Sequence, residues 1–148
     1  MYDPGTPQPP QVWGWTCSAC ALDWVLRATG LAPSHTRGLA IVEIGYPQHI
    51  NPTYGLMDGS GVQLQRVLSE YGQSSEQGYL DFDTTYALAA RGPGMCSGAA
   101  WYHWVGIRGV SGDAIWIANS APGYLGVYDL LSRSDFERLG GFSVVHLV

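Results

Sequence analysis

The sequence predicts an α+β fold, with N-terminal helices packed on a C-terminal antiparallel β-sheet, and three observations carry that expectation. Apolar residues recur at helical spacing through the first part of the chain, with capping residues ahead of them and glycines behind. From Ala99 onward the pattern changes to short runs rich in Trp, Ile, Val and Tyr, divided by glycine-containing turns. Of the 148 residues, 46% are hydrophobic and only 13% charged, which suits a chain with a substantial core. Helices first and sheet second is an α+β arrangement. The length is that of one domain, residues 1–148, in which 1–10 form a Pro-rich extended lead-in.

The first helix is expected over residues 17–29. Cys20, Ala21, Trp24, Val25 and Ala28 form its apolar stripe, Thr16 is placed to cap it and Gly30 to stop it. A shorter helix follows, from Ser34 or Thr36 to about Ile44, and then a turn-rich loop from Tyr46 to Gly61. Residues 60–71 read as an amphipathic helix, with Val62, Gln63, Arg66, Val67 and Tyr71 spaced by turns and Gly72 behind. Asp81 or Asp83 should cap a fourth helix that ends near Arg91. Strands are expected at 99–108, 114–118, 126–128 and 142–148, with a tight hairpin at Ser111-Gly112-Asp113 and a short helix at 134–139.

Charge excludes several partners. The formal net charge is −5, from 12 acidic residues against seven arginines and no lysine, so the basic footprint that nucleic acid or an anionic membrane selects is missing. The longest apolar runs fall well short of a membrane span. Residues 1–10 lack the apolar core of a secretory signal, so the chain is expected in the cytoplasm at synthesis. Three cysteines, an odd number, argue against a disulfide framework and leave at least one free thiol.

Cys17 is the thiol best placed for chemistry. It starts a predicted helix, where unpaired N–H groups and the macrodipole favour an anion and so the reactive thiolate. A protonated histidine beside it would act the same way, whereas burial would oppose both, so a reactive pair needs some solvent access. Gln11 lies six positions earlier and can offer its amide to an oxyanion beside the sulfur. Downstream, Tyr102-His103-Trp104-Val105 puts a histidine at the mouth of a strand. Sixteen residues on, Asn119 ends the partner strand, so its oxygen can hold one imidazole N–H while the other ring nitrogen serves the thiol. Trp13, Trp15 and Trp104 flank this constellation and are candidates to line a substrate cleft.

Other readings of these residues stand beside that one. Cys17 could be a small buried hydrophobe. Cys20 could be the nucleophile in its place, although it falls on the apolar stripe. The Cys17-x2-Cys20 pair could be redox-active, but the βαβ context for that is missing; with Cys96 and His103 it could be a zinc site, but no second paired-ligand motif exists. No metal and no cofactor is therefore expected. His35, His49 and His146 have no partner pattern, and capping accounts for Asp81 and Asp83.

Gln-x5-Cys at a helix start, His-Trp-Val on a strand and an Asn at the next strand's end resemble the C39-like branch of papain-like cysteine peptidases. Gly30 after the cysteine helix, Gly59-Ser60-Gly61-Val62-Gln63-Leu64 at the start of a second helix and Ala90-Arg91-Gly92-Pro93 ahead of the histidine strand extend the likeness. Ser134-Asp135-Phe136 with Gly141-Phe142 carries it to the end of the chain. The resemblance implies a papain-like fold and a cysteine peptidase with Cys17 as nucleophile, His103 as base, Asn119 orienting that base and Gln11 at the oxyanion. This chain departs from the family in having Thr16-Cys17-Ser18 for Asp-Cys-Gly, and Asn119-Ser120 where Asp-Pro is common. C39 peptidases proper cut leader peptides while fused to an exporter. A lysine-free chain without a signal is also similar to the N-terminal peptidase modules of actinobacteriophage endolysins. Those cleave the stem peptides of peptidoglycan, belong to longer multidomain chains and reach the cell wall through a phage lysis system. The alternative to an enzyme is a binding module on the same fold with the site idle.

Overall fold

The computed structural model describes residues 17–31, 61–98, 103–121, 127–140 and 142–148. Within them the chain runs α1 (Cys17–Ala28), α2 (Val62–Glu70), β1 (Ser75–Leu80), α3 (Phe82–Ala89), β2 (Gly94–Gly98), β3 (Trp104–Ser111), β4 (Ala114–Ala118), β5 (Leu130–Leu131), α4 (Arg133–Arg138) and β6 (Phe142–Leu147). The strands form one six-stranded sheet in the order β1-β6-β2-β3-β4-β5, every pair antiparallel. The expected helix at 34–44, the loop after it and the cap at Thr16 lie outside the described residues.

Local chemistry explains where the helices stop and start. After α1, Gly30 takes φ 75°, and the N–H groups of Gly30 and Leu31 donate to the carbonyls of Arg27 and Leu26. The same paired closure ends α2, with Gly72 at φ 79° and donors from Gly72 and Gln73 to Ser69 and Leu68. Both are left-handed C-terminal closures that a glycine makes without steric cost. Asp81 caps α3, its Oδ1 accepting from the Thr84 N–H at 2.8 Å. Ser132 caps α4 by accepting from the Asp135 N–H at 3.1 Å.

Three expectations need correction. β1 and β2 were not expected as strands. β1 is an edge strand with polar residues and a half-buried pattern, which gives no apolar alternation to read. β2, Gly-Met-Cys-Ser-Gly after Pro93, has the composition of a turn yet is central in the sheet. A Cβ at Gly94 would lie 2.6 Å from the Val145 carbonyl oxygen, so the glycine marks a close strand approach. β5 falls at Leu130–Leu131, later than the expected 126–128, and on α2 the buried face is Leu64, Val67 and Leu68 while Val62 is 43% exposed.

The core has two halves, one on each face of the sheet. Met95, Trp104, Ala118 and Val145 pack with α1 and α2, whereas Cys96, Val105, Ile107, Ile117 and Val144 pack with Phe82, Ala89 and Phe136 of α3 and α4. Neighbours in sequence thus alternate between faces, the period-two rule of a strand buried on both sides. α1 is buried from Cys17 to Arg27, all around rather than along one stripe. Its two charges pair within the helix, Arg27 Nε to Asp23 Oδ2 at 3.2 Å, as buried charges must.

α1 lies against β3 across Gly106. A Cβ at this position would stand 2.7 Å from Trp24 Cε3 and 3.3 Å from the Ala118 Cβ. Gly106→Ala is therefore expected to lower stability by about 1–3 kcal/mol through overpacking. Denaturant unfolding measures this, and a Trp24→Leu background should shrink the loss, because the clashing ring is gone.

Candidate active site

The site is built at one end of the sheet. His103 directly precedes β3 and Asn119 directly follows β4, and the register of Gly106 opposite Ala118 brings the two to the same end. His103 Nε2 and Asn119 Oδ1 are 2.7 Å apart. Two further bonds hold the amide. The Ala121 N–H donates to Oδ1 at 3.0 Å, and Nδ2 donates to the Val127 carbonyl at 3.1 Å.

These bonds determine the histidine tautomer. A main-chain N–H can only donate and a carbonyl can only accept, so Ala121 and Val127 fix which end of the amide is oxygen. That oxygen faces Nε2, which must then carry the hydrogen. In the neutral ring the lone pair is therefore on Nδ1, the nitrogen able to take a proton.

Cys17 reaches this end of the sheet as the first residue of α1. The main-chain N–H groups of Trp104, Ser18 and Cys17 lie near its sulfur and favour its thiolate. The first comes from the residue bonded to His103, and the other two are the unpaired donors of the helix start. Cys17 thus comes to the main chain of Trp104, the residue after His103, and His103 is joined to Asn119. Gln11, Trp13 and Trp15 lie outside the described residues.

Burial dominates the electrostatics. Cys17 is 7% exposed and His103 3%. Desolvation is the largest influence on the thiol and pushes its pKa up, with the N–H groups of Trp104, Ser18 and Cys17 pulling back. Desolvation likewise pushes the His103 imidazolium down, against the Asn119 hydrogen bond that favours it. A helix start favours thiolate, but here burial outweighs it, and burial favours the neutral form of both Cys17 and His103.

The other candidates fall elsewhere. Trp104 is 5% exposed and packs in the core between α1, α2 and the sheet, so its contribution at the site is its N–H rather than a ring in a cleft. Cys20 is buried one helical turn beyond Cys17. Cys96 is in the core on the opposite face from Cys17, so the four residues of the zinc reading do not converge. All three cysteines are free thiols, and no group of His, Cys, Asp and Glu among the described residues could hold a metal. His146 Nε2 faces Glu76 at 3.4 Å, and Asp83 pairs with Arg133. The groups that sequence reasoning missed are the Trp104 and Ala121 N–H and the Val127 carbonyl. They are main-chain atoms, which no side-chain motif reports.

No family model matches the sequence, and no curated protein does. A solved structure does: the crystal structure of a double glycine motif protease from an AMS/PCAT transporter in complex with the leader peptide. It matches with a TM-score of 0.65 over 95% of this chain and 89% of that one, at 13% sequence identity. The chain therefore shares the fold of a double-glycine peptidase domain.

The lowered His103 pKa has a consequence for stability. The unfolded histidine takes a proton near 6.5 and the folded one only at lower pH. Its neutral form therefore contributes stability that is complete above pH 6.5 and is lost as pH falls through the folded value. Thermal unfolding of wild type and His103→Gln across pH 4–8 checks this. The stability of wild type relative to the variant should decline as pH drops below about 6.5, and a difference flat in pH would contradict it.

Proposed function

We propose that this chain is a cysteine peptidase in which Cys17 is the nucleophile, His103 the general base and acid, and Asn119 the group that orients His103. The observation that carries the reading is the meeting at the start of β3. The Trp104 N–H favours the Cys17 thiolate, while His103, the residue before it, is held by Asn119 at 2.7 Å. A nucleophile, a base and an orienting amide at one sheet end are the parts that thiol acyl transfer requires. The shared fold of a double-glycine peptidase adds support.

The chemistry follows from the neutral pair. As the sulfur attacks a peptide carbonyl, its proton passes to His103 Nδ1, the C–S bond forms and the carbonyl electrons move to oxygen. The Cys17 N–H at the helix start and the Gln11 amide are the donors proposed for that oxyanion. Collapse breaks the C–N bond, with the proton on Nδ1 going to the leaving amine. Water then attacks the thioester as Nδ1 takes one of its protons; the C–S bond breaks, the departing sulfur takes that proton back, and the acid and the free thiol are released.

The substrate class is a peptide. The solved neighbour holds a leader peptide, and the sequence resemblance adds the stem peptides of peptidoglycan. Incubating the protein with a double-glycine leader peptide and with purified peptidoglycan, and mapping new amino termini, chooses between them. An idle module would cut neither, and its Cys17 would react no faster with iodoacetamide than Cys20 or Cys96.

Two outcomes are expected once a substrate is in hand. kcat/KM should form a plateau. Its acid limb should lie below 6.5, where His103 gains a proton, and its alkaline limb above 9.0, where Cys17 loses the proton the leaving amine needs. His103→Ala should cost about 10²- to 10⁴-fold in kcat, and Asn119→Ala less. Gln11→Ala should lower kcat by about 10²-fold or more with the melting temperature nearly unchanged. A large stability loss with intact specific activity would reassign Gln11 to structure.

A further inference from the structure

We propose that Val127 is a positioning residue for this site, its main-chain carbonyl setting which face Asn119 shows to His103. The inference rests on the reading of His103 as the base. Val127 is 1% exposed, and its side chain packs in the core half that holds Ile115, Ile117, Leu131 and Phe136. Two residues later the Asp129 carbonyl accepts the Ile117 N–H at 2.8 Å. The segment is thus pinned to β4 through its main chain and to the core through its side chain. Its carbonyl is held 3.1 Å from Asn119 Nδ2.

The clamp is selective because of what it opposes. Turning the amide over would put Nδ2 against the Nε2 hydrogen of His103 and against the Ala121 N–H. It would also put Oδ1 against the Val127 carbonyl oxygen. A shift of the His103 hydrogen to Nδ1 would relieve the first mismatch, but those at Ala121 and Val127 would remain, each leaving a buried or half-buried polar group unsatisfied. Ala121 is two residues from Asn119 and moves with it, so it cannot anchor the amide to the rest of the fold. Val127 can, because its position is set by the core.

The same contact makes Asn119 an amide by requirement. A carboxylate there would still accept from His103 and Ala121, but its second oxygen would face the Val127 carbonyl with no hydrogen to share. The aspartate that is common at this position among C39-like peptidases is therefore disfavoured here by the carbonyl of Val127.

The test reads the imidazole itself, so it stands whether or not a substrate is known. In ¹⁵N-labelled protein, the His103 ring shifts report the tautomer and its titration, and wild type should show the Nε2–H form and a midpoint below 6.5. Val127→Ala should mix the tautomers and move the midpoint. With an active substrate, its kcat should fall toward the roughly 10²-fold that a misplacement of about 1 Å costs, with KM little changed. Val127→Ile should restore both, and Ile115→Val, which thins the same core away from Asn119, should leave the ring spectrum as in wild type. Asn119→Asp leaves that core intact and probes the contact from the other side. It should lower kcat and raise the His103 midpoint. Wild-type ring shifts in Val127→Ala, at a stability loss like that of Ile115→Val, would reduce Val127 to a core residue and overturn the proposal. Full turnover in Asn119→Asp would do the same. Absence of turnover on every peptide would sink the peptidase reading and leave the tautomer result to stand by itself.

Discussion

The close approach of α1 to β3 is the constraint from which the site follows. Trp24 can lie against the strand because Gly106 has no side chain, and a Cβ there would stand 2.7 Å from the indole. Seven residues separate Cys17 from Trp24, about 10 Å along a helix. Two separate Trp104 from Gly106, about 7 Å along a strand. A helix seated by Trp24 on Gly106 therefore carries its first residue to the mouth of β3, where the Trp104 N–H favours the Cys17 thiolate.

The strand beneath is shared between two cores, and this explains why the site sits at the sheet's end. From Trp104 to Ile107 the side chains alternate strictly, with Trp104 in the α1 half and Val105 and Ile107 in the α3 half. Both faces are covered by apolar core. His103 lies one residue before the strand and Asn119 one residue after its partner. There the ladder no longer claims every main-chain group, and the donors and acceptors of Trp104, Ala121 and Val127 become available to side chains. The site uses the loose ends of the sheet in the way capping residues use the loose ends of a helix.

Much of this was legible in the sequence, and what was not had physical reasons. Helical spacing and Gly30 gave α1 to within a residue, and Asp81 marked α3, because caps are local chemistry. His103 and Asn119 could be paired from their places around the Ser111-Gly112-Asp113 hairpin, since antiparallel register converts sequence separation into distance. β2 was hidden because its glycines serve close packing against β6 rather than a turn, a fact that lives in the neighbouring strand. β1 was hidden because an edge strand owes its conformation to its pairing with β6. The balance between helix start and burial at Cys17 stayed open for a related reason. The helix start can be read from the sequence, but the depth at which that start is buried cannot.

Cys96 provides an internal control for what the site does to Cys17. Both thiols are buried, and desolvation raises both pKa values, yet at Cys96 nothing opposes it while at Cys17 three N–H groups do. Three main-chain donors therefore distinguish the surroundings of Cys17 from those of Cys96. Two of them belong to the start of α1 and one to β3, so the set is complete only while the helix rests on the strand. Held by secondary structure, the donors need no reorganisation as charge develops, which is where preorganised dipoles are most effective. In a dry site the same donors act at low effective dielectric, and each counts for more than it would in water. Burial thus keeps the resting thiol neutral and strengthens the very interactions that can stabilise charge once attack begins. On this reading, reactivity at Cys17 is a property of the α1–β3 contact rather than of the cysteine.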